Sequence, residues 1–195
     1  RNQAARAGEG GVVHSVATKS RGEDAERRIY HDFIIPTEEN GILTKIGFKN
    51  EESFNFAFDV VDTLGRRKPD KLAMLHVSED GTERRFTFKD MKKYSAQAAN
   101  YFKSLGIKKG DRVMLVLKRH YQFWIAMLGL HKLGAIAILA TNQLQEHDFE
   151  YRFNAAGVSA IVCTKDDEVY KIVDNAQKNC PTLTTKIQGM FNYAG

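Results

Sequence analysis

The sequence is poor in cysteine and proline. Its two cysteines, Cys163 and Cys180, form neither a C-x-x-C pair nor a cluster with histidine at metal-ligand spacing. A disulfide scaffold is therefore excluded, and we expect two reduced, structural thiols in a cytoplasmic protein. Three prolines in 195 residues also exclude a collagen-like chain.

Long uncharged apolar runs are missing as well. The most apolar stretch, residues 110–140, is interrupted by Lys118, Arg119 and His120, so no window of about 18 residues is free of charge. We therefore expect a buried strand–helix–strand unit and no membrane span. Residues 1–28 contain no apolar core of the kind that a signal peptide requires.

Familiar catalytic and nucleotide motifs do not occur. G-x-G-x-x-G, G-x-x-x-x-G-K-[ST] and G-x-S-x-G are all absent from the sequence. Asp166, Asp167 and Glu168 are interpreted as partners of a helix N-terminus rather than as metal ligands. His120 is interpreted as a solvated turn residue and His131 as a packing residue. No catalytic residue and no metal ligand are predicted.

Positive charge is unevenly distributed. The net charge is +5, and residues 66–119 hold 15 Lys and Arg against 6 Asp and Glu. One interpretation is a solvated face that keeps the protein soluble. The alternative is a non-catalytic basic α/β module that binds a polyanion such as nucleic acid. Against nucleic acid, no aromatic stacking platform is visible, and we expect no nucleic-acid partner.

Two regions are predicted along the chain. Residues 1–53 are interpreted as a flexible or irregular N-terminal segment, with a loose hairpin around Asn40-Gly41. Residues 54–195 are interpreted as one partial domain of alternating strands and helices. Its predicted elements are a helix from Phe54, a hairpin around Asp80-Gly81, a helix capped by Thr87 and Asp90, the strand Val113–Leu117, the helix Tyr121–Leu133, the strand Ile136–Ala140, a helix over 144–157, a strand over 159–164, a helix over 166–181 and a strand from 182.

This alternation predicts an α/β fold, a doubly wound and mostly parallel sheet with flanking helices. In such a sheet, ligands bind beyond the carboxyl ends of the strands. The strand Val113–Leu117 and the strand Ile136–Ala140 are expected to be buried on both faces. A parallel sheet that is cut after its third or fourth strand has an unpaired edge and an uncovered apolar face, so we expect poor solubility or self-association of the isolated chain.

Several runs, in order along the chain, resemble one enzyme family. "FNFAFDVVD", "FTFKDM", "LGIKKGDRVMLVL" and "HKLGAIAILAT" are together similar to the N-terminal part of AMP-forming acyl-CoA synthetases, in the adenylate-forming ligase superfamily. The medium-chain branch is the most similar. The resemblance extends from about Phe54 to Ile187. It implies the first subdomain of a large N-terminal domain, and therefore an N-terminal fragment that lacks the C-terminal remainder of the enzyme.

The resemblance also implies a reaction and its cofactors. Such enzymes activate a carboxylic (fatty) acid with ATP and Mg²⁺ to an acyl-adenylate, then transfer the acyl group to coenzyme A. Their phosphate loop, of the type T-S-G-T-T-G-x-P-K, does not occur in this chain, and none of Pro36, Pro69 and Pro181 precedes a lysine. We therefore expect the chain alone to be inactive and to bind none of these cofactors by itself.

One cofactor-binding residue follows from the resemblance. Gln143, in "ATNQLQ" after a predicted strand, matches a glutamine that medium-chain relatives use near coenzyme A. A solvated loop glutamine is the alternative interpretation. Arg119, at the end of another strand, is a second position that could meet a phosphate.

Overall fold

The computed structural model describes residues 29–165 and 168–189. The described residues divide into two compact units, with the boundary between Lys49 and Asn50. The predictions for residues 1–28, for Asp166 and Asp167, and for residues 190–195 lie outside the described residues.

The described part of the first unit is a β-hairpin. A 3₁₀ turn at Ile29–Asp32 precedes β1 (Ile34–Glu39) and β2 (Ile42–Phe48), which pair antiparallel. Asn40 and Gly41 connect the strands with positive φ values of 53° and 76°. Two consecutive left-handed residues are typical of the hairpin turn that matches strand twist, so the hairpin predicted around Asn40-Gly41 is confirmed.

The second unit opens with a π-helix and a short α-helix, at Phe56–Asp62 and Thr63–Arg67 (α1). The predicted helix is present, and the sequence spacing predicts that Phe54, Phe58, Val61 and Leu64 share its buried face. This prediction is confirmed at Val61 and wrong at Phe54 and Phe58. Phe54 and Phe58 are exposed, whereas Ala57 and Val61 are buried. For Phe58 the wider π-helical turn explains the difference, because its repeat is longer than the 3.6 residues assumed from the sequence. Phe54 precedes this helix, which begins at Phe56.

A hairpin and a long helix follow: β3 (Leu72–Val77), β4 (Glu83–Thr87) and α2 (Phe88–Ser104). The two strands pair antiparallel, as predicted. The Asp90 N–H donates to Thr87 Oγ1 at 3.2 Å, and the Thr87 N–H donates to Asp90 Oδ2 at 2.9 Å. This reciprocal pair confirms the predicted cap and fixes the start of α2 where the strand ends.

The buried face of α2 differs in part from the one that helical spacing predicts, namely Met91, Tyr94, Ala98, Tyr101 and Leu105. Met91 and Ala98 are buried as expected, but Tyr101 and Leu105 are each 39% exposed. Ser95 and Phe102 are buried instead. The core stripe is therefore rotated by one residue towards Phe102 in the last turns of the helix.

The remaining strands form one four-stranded parallel sheet in the order β6-β5-β7-β8. Its elements, in chain order, are β5 (Arg112–Val116), α3 (Gln122–Leu133), β6 (Ile136–Leu139), α4 (Glu146–Ala156), β7 (Ala160–Cys163), α5 (Val169–Ala176), a 3₁₀ turn at Gln177–Asn179 and β8 (Thr185–Gln188). The predicted doubly wound, mostly parallel sheet with flanking helices is confirmed.

Helices cover both faces of this sheet. Val113 and Leu115 of β5 pack in one apolar cluster with α2 and α3. Met114 and Val116, which point the other way, pack in a second cluster with α4 and α5. β5 and β7 are therefore interior strands buried on both faces, as their uninterrupted apolar sequences predict.

β6 corrects a further prediction. It was expected to be a buried strand, but it lies at the edge of the sheet, and its Ile136 and Leu139 are 46% and 52% exposed. The apolar sequence predicted the strand correctly. Its position at the edge depends on strand order, which the local sequence does not contain.

Candidate functional site

The carboxyl ends of the parallel strands form one edge of the sheet, where the predicted binding residues lie. Residues 117–120 follow β5, residues 140–145 follow β6, and Thr164 and Lys165 follow β7. The chain leaves β5 towards β6 on one side and later returns to β7 on the other. The topological switch point therefore lies between β5 and β7, where open α/β sheets bind their ligands.

The loop after β5 carries Arg119. The preceding residue, Lys118, has a left-handed φ of 46°, which is uncommon for a residue with a side chain. The His120 N–H donates to the Leu117 carbonyl at 3.1 Å and closes the turn. Arg119 is exposed at this edge, as the sequence predicted, and its contact with a phosphate stays a prediction.

The loop after β6 holds Gln143 by its backbone. The Gln143 N–H donates to Thr141 Oγ1 at 3.3 Å, and Gln145 Nε2 donates to the Gln143 carbonyl at 3.5 Å. The Gln145 N–H in turn donates to Asp148 Oδ2 at 3.0 Å, in the first turn of α4. These contacts connect the loop to the helix N-terminus.

The side chain of Gln143 is exposed and makes no hydrogen bond with other described residues. Its amide can donate two hydrogen bonds and accept others, so it suits a polar ligand group. Gln143 and Arg119 follow neighbouring parallel strands, and the structure places both at the same edge of the sheet. Neither side chain supplies a nucleophile or a general base at neutral pH.

A third residue at this edge was missed by the sequence analysis. Thr164 directly follows β7 and is only 4% exposed, and its Oγ1 has no hydrogen-bond partner among the described residues. Its N–H donates to the Val116 carbonyl at 3.3 Å, which continues the pairing of β7 with β5. Alternation along the strand directs its side chain to the face that α3 covers. The sequence feature that could have identified Thr164 is a hydroxyl residue directly after an apolar strand.

An aromatic contact connects the start of α3 to the β3–β4 hairpin. Tyr121 packs edge-to-face with His76, with ring centroids 5.4 Å apart, and the Arg84 guanidinium lies 5.9 Å from the Tyr121 ring centroid. Burial raises the pKa of Tyr121, and the charge of Arg84 partly opposes this. His76 Nδ1 and Gln122 Oε1 are also buried without a partner among the described residues.

His131 lies away from this edge. It lies near the C-terminal end of α3. This end of the helix is close to the start of β5, because the Gly110 N–H, just before β5, donates to the Gly134 carbonyl, just after α3, at 3.0 Å. Burial lowers the pKa of His131. The predicted packing role therefore agrees with its position, at the amino-terminal side of the sheet.

Residues 29–165 and 168–189 offer neither a metal cluster nor a membrane-spanning helix. They contain no group of three or more His, Cys, Asp or Glu side chains that could hold a metal ion. No helix among them is long and apolar enough to cross a membrane.

Comparison with known proteins identifies the family. A family model described as "AMP-binding enzyme" matches residues 61–192. The chain belongs to this family.

Curated relatives of this AMP-binding chain are acyl-coenzyme A synthetases. The chain is 34% identical over 142 residues to the rat protein "Acyl-coenzyme A synthetase ACSM5, mitochondrial", an alignment that covers 70% of this chain and 24% of the relative. It is 36% identical over 141 residues to human "Acyl-coenzyme A synthetase ACSM2A, mitochondrial", covering 69% and 24%. The chain thus spans about a quarter of the length of these relatives. The resemblance to medium-chain acyl-CoA synthetases is confirmed over that part.

Solved structures show the same fold. A fatty acyl CoA synthetase from Mycobacterium tuberculosis superimposes with a TM-score of 0.62 at 23% identity, covering 69% of this chain and 26% of that one. An acyl-CoA synthetase from Brucella canis gives the same TM-score at 22% identity, covering 73% and 25%.

The AMP-binding family implies the use of ATP, so the fit of the described residues to ATP matters. The sequence contains no Ser/Thr/Gly-rich loop ending in Pro-Lys, the type of group that would surround the phosphates. Among the residues discussed at the strand ends, Arg119 is the candidate for a contact with a phosphate. One exposed guanidinium does not make a binding site for a triphosphate. We therefore assign no step of ATP chemistry to these residues.

Proposed function

We propose that the chain forms the N-terminal part of an AMP-forming acyl-CoA synthetase. The reaction joins a carboxylic (fatty) acid to the AMP part of ATP with loss of pyrophosphate. The thiol of coenzyme A then displaces AMP and forms a thioester. The observation that supports this proposal most strongly is the family match over residues 61–192, together with relatives named as acyl-coenzyme A synthetases.

Within this enzyme, the described residues act as scaffold and as one side of the coenzyme A site. Gln143 is the proposed contact, because its backbone is fixed by Thr141 and Gln145 while its amide remains exposed. Coenzyme A supplies the acceptor thiol when it is bound. The amide of Gln143 orients a polar group of that cofactor and takes no part in proton transfer.

A chimeric enzyme tests the proposed function. Residues 54–187 of this chain would replace the aligned segment of the rat relative, and formation of fatty acyl-CoA would be measured with ATP and Mg²⁺. We expect measurable thioester formation, because the two segments share family and fold. A chimera that folds, as judged by circular dichroism, but makes no acyl-CoA would contradict the proposal.

The same chimera tests Gln143. Gln143→Leu should raise KM for coenzyme A about two- to tenfold, because a lost hydrogen bond to a ligand is worth about 0.5–1.5 kcal/mol. ATP–pyrophosphate exchange, which reports adenylate formation alone, should not change. Gln97→Leu, which removes an exposed amide on α2 and away from this loop, serves as the matched control. An unchanged KM in the Gln143→Leu enzyme would remove Gln143 from the site.

The chain by itself provides a second test. We propose that the 195-residue polypeptide does not catalyse ATP–pyrophosphate exchange, since it has no phosphate loop. Exchange above background with the purified chain would contradict this. Reading the coding sequence beyond Gly195 is the complementary observation, and we expect a Ser/Thr/Gly-rich loop that ends in Pro-Lys.

Location is a separate proposal. We propose a cytoplasmic protein, because both Cys163 and Cys180 are free thiols. Cell fractionation should recover the protein with cytosolic markers. Recovery with mitochondria, the compartment in the names of the rat and human relatives, would contradict the proposal.

A further inference from the structure

The outer edge of β6 is an open strand edge among the described residues. β6 pairs with β5 alone, while β5 and β7 each have two neighbours. The Ile136 N–H donates to the Asp111 carbonyl at 2.8 Å, and the Ala140 N–H donates to the Leu115 carbonyl at 3.0 Å. Because backbone groups alternate along a strand, those of Ala137 and Leu139 point away from the sheet. They are free to pair with another strand.

This edge carries neither charge nor proline, two common means by which an edge strand is protected. Among charged side chains, lysine in particular serves this purpose. Residues 134–145 contain no charged residue and no proline. β8, at the opposite edge, carries Lys186, which forms an ion pair with Asp174 of α5. The two edges of the sheet therefore differ, and only β6 combines exposed apolar side chains with an uncharged sequence.

We propose that β6 pairs antiparallel with β6 of a second copy of this chain, across a two-fold axis at Ile138. This inference does not depend on the proposed enzyme function. In this register Ala137 of one copy lies opposite Leu139 of the other. The two pairs of facing residues exchange four backbone hydrogen bonds, and the two sheets become one sheet of eight strands.

The side chains of β6 complement one another in this register. Leu139 faces Ala137, and Ile136 faces Ala140, so a large side chain lies opposite a small one on each side of the axis. Side chains directly opposite in an antiparallel pair share one face of the sheet and contact each other. Leu139 and Ile136 are thereby withdrawn from water, which is favourable for two apolar groups that are about half exposed in one copy. Residues 134–145 themselves carry no charge, so β6 of one copy meets no like charge on β6 of the other. These features fit a second copy of the chain as the occupant.

Sedimentation of the purified 195-residue chain tests the proposal. We expect a monomer–dimer equilibrium that shifts towards dimer as concentration rises. Leu139→Lys should weaken dimerisation at least tenfold, because it places a charge at the centre of the new sheet. Sedimentation at the monomer mass at every concentration would overturn the proposal.

Two control variants separate this surface from other exposed apolar ones. Tyr151→Lys changes an exposed aromatic residue on α4, and Phe48→Lys changes an exposed one on the β1–β2 hairpin. Both should dimerise like the unmodified chain. Loss of dimer in either control, with Leu139→Lys unaffected, would assign self-association to that other surface and overturn the proposal. Circular dichroism verifies that each variant is folded.

A cysteine variant tests the register and does not depend on the stability of Leu139→Lys. The axis brings Ile138 of the two copies opposite each other as a non-hydrogen-bonded pair, with Cα atoms about 4.5 Å apart, within the range that a disulfide spans. Ile138→Cys should form a covalent dimer under mild oxidation much faster than Tyr151→Cys. Equal rates for the two variants would overturn the register.

Discussion

The ammonium group of Lys132 lies 2.8 Å from Asp62 Oδ1, and the two side chains are 4% and 8% exposed. Lys132 Nζ also donates to the Lys92 carbonyl of α2 at 3.2 Å. Nearby, Asn55 Nδ2 donates to the His131 carbonyl at 2.7 Å. A single buried charge pair thus holds the π-helix, α2 and α3 together on one side of the sheet.

Removing one partner of this pair should be costly. Lys132→Met leaves Asp62 buried without a counter-charge, and we expect the free energy of unfolding to fall by about 3–5 kcal/mol. Urea unfolding followed by the fluorescence of Trp124, the single tryptophan, measures the change. The double variant Lys132→Met with Asp62→Leu should recover most of this loss, because it leaves no unpaired charge. A loss below about 1 kcal/mol in the single variant would show that Asp62 finds water or another partner.

Gly129 should not tolerate a methyl group. A Cβ atom at this position would lie 2.9 Å from Ala98 Cβ and 3.0 Å from the Ala99 backbone nitrogen, where α3 crosses α2. Gly129→Ala should therefore lower the free energy of unfolding by about 1–3 kcal/mol, in spite of the better helix propensity of alanine. Gly47→Ala is the control, because its Cβ would meet atoms at 3.6 Å or more. Equal stability of the Gly129→Ala and parent chains would mean that the helices separate freely.

Acidification should destabilise the fold through His131. Burial lowers the pKa of this imidazole below its ordinary value of about 6.5. Between the two pKa values the unfolded chain binds a proton that the folded chain does not, so stability falls as the pH drops from 6.5 through the folded pKa. His131→Gln should show a smaller loss of Tm between pH 8 and pH 5.5. Parallel Tm curves for the variant and the parent chain would contradict this role.

Neither cysteine should react in the folded protein. Cys163 and Cys180 are buried and form no disulfide, and burial together with the charge of Glu150 raises the pKa of Cys180. The thiolate is the reactive form, so iodoacetamide at pH 7.5 should modify neither residue. In denaturant, mass spectrometry should show two modified cysteines per chain. A chain with no reactive thiol in denaturant would instead contain a disulfide.

Hydrophobic periodicity and capping residues were sufficient to predict those elements whose bounds depend on nearby residues alone. Thr87 and Asp90 fixed the start of α2, and the five apolar residues 113–117 located β5. Both signals act within a few residues along the chain, so the sequence alone contains them.

Tertiary packing decided the features that the sequence analysis got wrong. Phe102 replaced Tyr101 in the core because of where α2 crosses its neighbours, and Ile136 is exposed because strand order places β6 at the edge. The candidate site was predicted only in part. Gln143 came from the resemblance, whereas the buried hydroxyl of Thr164 becomes visible only once β7 is placed beside β5.

The strand order of the parallel sheet has a consequence for biosynthesis. β5 is the first of the four strands to be translated, and β6 and β7 each add to it. β8 then adds to β7. Each of the three later strands therefore finds a neighbour already made when it leaves the ribosome, and the sheet can grow outwards from β5 while translation continues.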